Sequence, residues 1–441
     1  MRFTARRSGP VLVVSLIVLV IAALFTAPGV SAAARSPHKD QPEQPACPNR
    51  QLPPAPVDTS EEPPPGSPSP EPLPVPEEPV GGARMGECGL IYPTGATEPL
   101  PTITAASWVL ADLDSGAVLA AKDPHARERP ASLIKVLLAI VVIRELRQDM
   151  MVIGNQDDAN QEGTKVGIGP DGEYTVRQLL FALVMRSGND AAHALARALG
   201  GIPVALDKMN RLAKELGALD TRAATPSGLD GPGMTTSAYD QSVIFRAAMR
   251  HKEFAEAAST RQIDFPGYGN KPAFKVNNDN KLLGSYQGFL GGKTGFTDDA
   301  RHTYVGAAKR GEQRLVVVLL RGERGDEPLG DQGARLLDYG FALAKEGARP
   351  VGQLVEQSPE AQPKGDVSHG ESATPAPGGD QAAAEPPDSS GRTAFGTVGL
   401  PLVVFAGVAV LVSLVLWFRR RRARAAAALV AAGAATPEEA G

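Results

Sequence analysis

The strongest constraint in the chain is a run of eight apolar residues, Val136-Leu137-Leu138-Ala139-Ile140-Val141-Val142-Ile143, that begins directly behind Lys135. With Leu133, Ile134 and Leu146 it covers nearly every face of a helix, and a helix that is apolar all round belongs in the centre of a domain. Its far end is charged (Arg144, Glu145, Arg147). Whatever stands at its start is therefore carried into the interior. There the chain reads Arg129-Pro130-Ala131-Ser132-Leu133-Ile134-Lys135. Ser132 and Lys135 are three residues apart, which puts both side chains on one helical face. A serine hydroxyl needs a base to become a nucleophile, and a lysine serves if its charge is suppressed. Burial, a second cation or the positive end of a helix would each do that. Ser132 is therefore expected to be an acylating nucleophile and Lys135 its base, in a first turn whose free N–H groups favour developing negative charge.

Composition confines the folded part of this 441-residue chain to about residues 102–348. Nineteen of its 39 prolines fall between Pro37 and Pro101, and a second low-complexity tract runs to about Arg392. Residues 35–101 read as an extended Pro-rich linker and 349–394 as a disordered one, since neither buries enough apolar surface to offset ordering. The net charge of -4 comes with no basic stripe, which excludes nucleic acid as an expected partner. The six histidines are scattered, with no His-Glu-x-x-His and no Cys/His pairing, so neither a metal nor another cofactor is expected. The two cysteines, Cys47 and Cys88, lie outside the expected core, and in an exported protein such a pair is predicted to be a disulfide.

Export is what both ends predict. Residues 1–34 carry Arg2, Arg6 and Arg7, an apolar stretch over 11–25, and Ser31-Ala32-Ala33-Ala34 as a cleavage region, the pattern of a signal peptide. Near the other end, residues 397–418 carry no charge and are followed by Arg419-Arg420-Arg421-Arg422. This predicts one transmembrane helix over 395–418 and a cytoplasmic tail over 419–441, with residues 35–394 outside the cytoplasm. Ideal-coil scaling gives the roughly 40-residue second linker an average reach of about 35 Å.

Within the core, Ser107-Trp108-Val109-Leu110-Ala111-Asp112 and Ala117-Val118-Leu119-Ala120-Ala121 flank Asp114-Ser115-Gly116, a hairpin signal. Two Val-rich runs, 303–308 and 315–320, flank Arg310-Gly311 and form a second. Between them lie helical patterns: one opened by Thr175, one starting after Arg186-Ser187-Gly188-Asn189, one over 204–216 and one capped by Thr235-Thr236-Ser237. A closing helix over 332–344 ends the core. The expected class is α+β: an antiparallel sheet assembled from the two ends of the core, flanked by helices, with a helical subdomain beside it.

Three short elements then stand in order: Ser132-x-x-Lys135, Ser187-Gly188-Asn189 and Lys293-Thr294-Gly295. The first opens a buried helix, the second turns a helix corner, and the third lies on a Gly-flanked strand where backbone can approach a ligand. Together with Pro226-Ser227-Gly228-Leu229-Asp230, Thr236-Ser237-Ala238-Tyr239-Asp240 and Gly292-Lys293-Thr294-Gly295-Phe296-Thr297, the set resembles the active-site serine penicillin-interacting enzymes. It is most similar to their low-molecular-mass serine D-alanyl-D-alanine carboxypeptidases, of the peptidase S11 kind. The resemblance implies a β-lactamase/transpeptidase-like fold. It also implies a substrate, the peptidoglycan stem peptide ending in D-Ala-D-Ala, and β-lactams as inhibitors. It implies that Ser187 relays a proton and that Asn189 orients Lys135 and binds substrate. Lys293 with Thr294 would hold the terminal carboxylate. Gly295 would let the substrate approach, and the N–H groups of Ser132 and Phe296 would form the oxyanion hole. Ile134 stands where the family most often has threonine, and nothing after about residue 345 resembles the small β-rich domain and amphipathic anchor of many relatives. A class A β-lactamase is the first alternative, opposed by the lack of a Glu-x-x-x-Asn element in residues 219–225. A non-catalytic β-lactam sensor or wall-binding protein is the second, opposed by the completeness of the motifs. Oligomeric state is open.

Overall fold

The computed structural model describes residues 47–357, apart from 324 and 326. The expected signal peptide, the transmembrane helix, the cytoplasmic tail and most of the second linker lie outside the described residues. Among those described, no helix is long and apolar enough to cross a membrane.

In chain order the elements are β1 (Leu90–Ile91), β2 (Ser107–Asp112), β3 (Ala117–Lys122), α1 (Lys135–Glu145), β4 (Met151–Ile153), α2 (Gln156–Ala159), β5 (Glu173–Thr175), α3 (Val176–Met185), α4 (Asn189–Ala198), α5 (Ile202–Glu215), α6 (Ala238–Ala248), α7 (Lys252–Ser259), β6 (Gln262–Phe265), β7 (Phe274–Asn277), β8 (Phe289–Thr297), β9 (Arg301–Arg310), β10 (Gln313–Gly322), α8 (Leu329–Lys345) and β11 (Gly352–Gln353). The main sheet runs β1-β3-β2-β10-β9-β8, with β11 also on β3. All of its pairings are antiparallel. Its two halves come from the two ends of the core and join at β2–β10, where Trp108 faces Leu319 and Leu110 faces Val317.

Period-2 alternation in β10 explains the layering. Leu315, Val317 and Leu319 share a cluster with Trp108, Leu110, Leu336 and Leu337, so this face packs on α8. Val316, Val318 and Leu320 share the larger cluster with α1 and α6 on the other face. A strand buried on both sides reads as a continuous apolar run, as this one does. Helix α1 lies against α3, α4, α5, α6 and α7, and residues 135–142 are all buried. The α+β expectation therefore holds, with the helical cluster where the apolar helix required it. The starts of α3 and α6 follow from their caps. Thr175 accepts from Gln178 N while Gln178 reaches back, a capping box at α3, and Ser237 accepts from Asp240 N at α6.

Three features depart from the expectations. The small hairpins β4–β5 and β6–β7 are strands of three or four residues, too short to impose a periodicity. The stretch read as an extended linker over 35–101 is, from residue 47 onward, laid against the body: Val80, Met85 and Ile91 are buried in the main core, and β1 pairs with β3. A disulfide joins Cys47 to Cys88 and closes this strap. Likewise the body does not stop at 348, because β11 pairs with β3 and Val351 and Leu354 are buried. Composition missed these segments because a few anchors, not a continuous apolar pattern, hold them.

Leu137 is fully buried in the first turn of α1. Leu137→Ala is expected to lower the free energy of unfolding by about 2–5 kcal/mol, measured by denaturant titration.

Candidate active site

Ser132 sits in a single 3-10 turn, Ala131–Ile134, and Lys135 is the first residue of α1. The helix therefore starts three residues later than the serine, yet the spacing still brings the pair together: Lys135 Nζ lies 2.8 Å from Ser132 Oγ. Lys135 is 1% exposed. Its amine donates to Asn189 Oδ1 (2.7 Å) and to the Ser227 carbonyl. A neutral amine has two N–H groups and one lone pair. In that form the two acceptors would take the hydrogens and the lone pair would face the serine hydroxyl. Asn189 cannot be flipped to spoil this, because its Nδ2 donates to the Glu162 carbonyl (2.6 Å).

Electrostatics favour that neutral form. Burial holds Lys135 well below the ordinary lysine range, the positive charge of Lys293 pushes it further down, and Asp190 pulls the other way. Lys293, also buried, is lowered by its own burial only to about 8. Two lysines in one site are thus driven apart, one toward a base and one still mainly cationic at neutral pH. Lys293 lies on β8, the edge strand of the sheet, and donates to the Thr294 carbonyl (2.7 Å).

An open cleft of about 710 Å³ lies over the pair, lined among others by Ser132, Ser187, Asn189, Thr294, Gly295 and Phe296. Every residue singled out for chemistry, other than the two cysteines, thus lines this cleft or, as Lys135 and Lys293, is buried beside it. Phe296 is 50% exposed and packs against His302 with ring centres 4.7 Å apart. Two motif residues without the freedom of glycine adopt left-handed backbone: Ala131 (φ 46°) and Ser187 (φ 63°). Each costs about 1–2 kcal/mol, and both stand at the cleft, Ala131 next to Ser132 and Ser187 on its lining, where strained residues often lie. Gly228 (φ 85°) makes the first possible, since a Cβ there would fall 1.9 Å from the Ala131 carbonyl. A Cβ on Gly295 would stand 2.8 Å from Ser132 N and 2.4 Å from Thr303 Oγ1.

Comparison with known proteins agrees with this geometry. A family model described as D-alanyl-D-alanine carboxypeptidase, peptidase S11, matches residues 94–324. The chain belongs to the S11 peptidase family. It is 47% identical over 257 residues to the D-alanyl-D-alanine carboxypeptidase DacB2 of Mycobacterium tuberculosis, covering 57% of this chain and 87% of that protein. A solved D-alanyl-D-alanine carboxypeptidase from M. tuberculosis H37Rv is 46% identical, with a TM-score of 0.57 over 60% of this chain and all of its own. A mutant of the Streptomyces K15 DD-transpeptidase is 28% identical, with a TM-score of 0.52 over 55% of this chain and all of its own.

In this S11 peptidase two further groups complete the site, and the motifs alone did not reveal them. The Ser227 carbonyl is the second acceptor for Lys135; the signal was Pro226-Ser227-Gly228, whose glycine permits the turn. Asp190, next to Asn189, is fully buried and accepts from the N–H groups of Val166, Gly167 and Ile168 at 2.7–3.1 Å. It fixes the loop whose residues Gly163, Thr164 and Lys165 form one wall of the cleft. No hydrophobic periodicity reports a carboxylate that binds only backbone. Gly295→Ala should slow acylation of Ser132 by a serine-reactive probe about a hundred-fold while far-UV circular dichroism is unchanged, as followed by intact-protein mass.

Proposed function

We propose that this chain is a serine-type D-alanyl-D-alanine carboxypeptidase acting on peptidoglycan stem peptides, and that Ser132, Lys135, Ser187, Asn189, Lys293, Thr294, Gly295 and Phe296 carry the reaction. The observation that carries the reading is the Lys135 amine, buried, held by two neutral acceptors and 2.8 Å from Ser132 Oγ. Lys135 takes the serine proton as Oγ attacks the carbonyl of the penultimate D-alanine. The N–H groups of Ser132 and Phe296 receive the oxyanion, a contribution of about 3 kcal/mol per donor in such sites. The C–N bond breaks, Ser187 passes the proton to the departing amine, and D-alanine leaves. Water then attacks the acyl-enzyme and restores Ser132. Among the described residues no strand pairs with the outer edge of β8, and that edge offers backbone groups with which an extended peptide can pair. Lys293 and Thr294 bind the terminal carboxylate, and Asn189 both orients Lys135 and contacts the substrate amide.

A β-lactam would acylate Ser132 by the same steps and release slowly. Among the described residues lining the cleft the one carboxylate is Asp279, and it is occupied by Arg186 at 2.6 Å. No free carboxylate is thus offered as a base for rapid release, which argues against a β-lactamase. We further propose the layout that composition suggests: a signal peptide over 1–34, a catalytic body outside the cytoplasm and a single membrane helix over 395–418. That layout puts the enzyme on the face of the membrane where its substrate lies. Removing residues 395–441 should move the protein from the membrane fraction to the medium or soluble fraction.

Incubation with a D-Ala-D-Ala-terminated peptide should release D-alanine, and Ser132→Ala should abolish release and β-lactam labelling together; no release by the unmodified enzyme would sink the reading. The pH dependence has a definite sign. Lys293 loses its charge as pH rises through about 8, so kcat/KM should fall above that value. The fall should be weaker in kcat, because a bound carboxylate keeps the lysine protonated. A substrate with an amide in place of the terminal carboxylate should not show it.

A further inference from the structure

The five residues that lead to the nucleophile, His125 to Arg129, have almost no regular structure of their own, yet their polar side chains are buried. Their partners lie largely in the strap. His125 Nε2 contacts the Val80 carbonyl at 2.9 Å. Arg127 donates to the carbonyls of Gln51, Leu73 and Pro74 at 2.6–2.9 Å, and Glu128 accepts from Asn49 at 3.3 Å. Arg129, three residues before Ser132, gives its guanidinium to both carboxylate oxygens of Glu61 and to the Pro54 carbonyl (2.9 Å). The same short stretch of strap grips the far side of the site. Asp299, in the turn that follows Phe296 and Thr297, accepts from Val57 N at 2.5 Å and from Ser60 Oγ at 3.4 Å. Thr297 in turn donates to Asp230 (3.0 Å), on the loop that carries the Ser227 carbonyl.

We propose that the disulfide-closed strap, residues 47–88, is a positioning element of the active site, with Glu61 acting through Arg129 on the Ala131–Ser132 turn; this rests on the catalytic reading above. Ala131 holds a left-handed conformation that a free chain would abandon. Something must fix the backbone on its N-terminal side. Body contacts there include the Glu128 bridge to Thr236, Arg321 on the Glu128 carboxylate (2.8 Å), Asp220 on His125 (2.7 Å) and the Thr303 hydroxyl on the Pro130 carbonyl. The bidentate Glu61–Arg129 pair adds a contact from the strap at the residue next to Pro130, rigid in two directions because the guanidinium fork is planar. The clamp on Asp299 ties the same strap to the end of β8, so the two oxyanion donors, Ser132 N and Phe296 N, are spaced by one external segment. Glu61, Asp230 and Asp299 bring their oxygens within 4.8 Å of one another, and Arg129 is the cation that lets them do so. Glu61 is therefore a positioning residue and does not itself touch substrate.

Glu61→Gln keeps the shape and one acceptor but removes the charged bidentate pair. Its kcat for D-alanine release should fall about ten-fold with KM changed less than about two-fold, while the thermal midpoint stays close to that of the unmodified enzyme. Glu61→Asp, which restores the carboxylate, should recover part of the loss. Opening the strap in the full chain by Cys47→Ser/Cys88→Ser should reproduce the kcat loss. An unchanged kcat in Glu61→Gln would overturn the proposal, as would a loss that merely tracks the folded fraction. Ser132 acylation by a serine-reactive probe, timed by mass in each variant, separates this from the catalytic reading: if the unmodified enzyme releases no D-alanine, the substrate assignment fails, and the positioning claim still stands or falls on the relative acylation rates.

Discussion

The site is organised around one buried amine, that of Lys135. Moving an ammonium out of water costs several kcal/mol unless it is well paired, and Lys135 is given neutral oxygens as its hydrogen-bond partners. The nearest carboxylate that could stabilise its charge, Asp190, is engaged by backbone N–H groups instead. The apolar body of α1 makes this arrangement permanent, since the helix cannot turn its first residue toward solvent without exposing Val136, Leu137 and Leu138. Core packing and the burial of Lys135 therefore rest on the same helix. A change that loosens α1 would admit water to Lys135 and weaken the burial that holds its pKa down.

Most of the sheet and the cleft was legible in the sequence because each part obeys a local rule. The alternation of β10, the caps at Thr175 and Ser237 and the motif triplets all report structure within a few residues of themselves. What escaped follows a different logic. Asp190 binds backbone, the Ser227 oxygen is itself backbone, and neither leaves a pattern of side-chain types. The strap escaped for a related reason. Its composition reads as an extended spacer, but a segment can be ordered by donors on another part of the chain.

That mode of ordering suits proline. A proline-rich stretch has few N–H groups, so many of its carbonyls have no internal partner. Arginine has five N–H donors and no acceptor. Arg127, Arg129 and Arg222 give theirs to the carbonyls of Gln51, Pro54, Glu71, Leu73 and Pro74. The two deficits cancel: buried guanidinium groups find acceptors, and bare carbonyls find donors. Val80, Met85 and Ile91 then anchor the far end in the core.

The join between β2 and β10 has a consequence in time. Trp108 and Leu319 are strand partners, although nearly the whole catalytic body separates them along the chain. Contacts between distant residues form late, because the entropy of closing so long a loop must be met before the strands reward it. A polypeptide emerging from its amino end presents Ser132 and Lys135 early, but Lys293 and the strands that hold it come long afterwards. Until β10 has arrived and docked against β2, Ser132 and Lys135 have neither Lys293 nor the β8 wall of the cleft beside them. The cleft is thus a late product of folding, assembled only when the last part of the sheet closes.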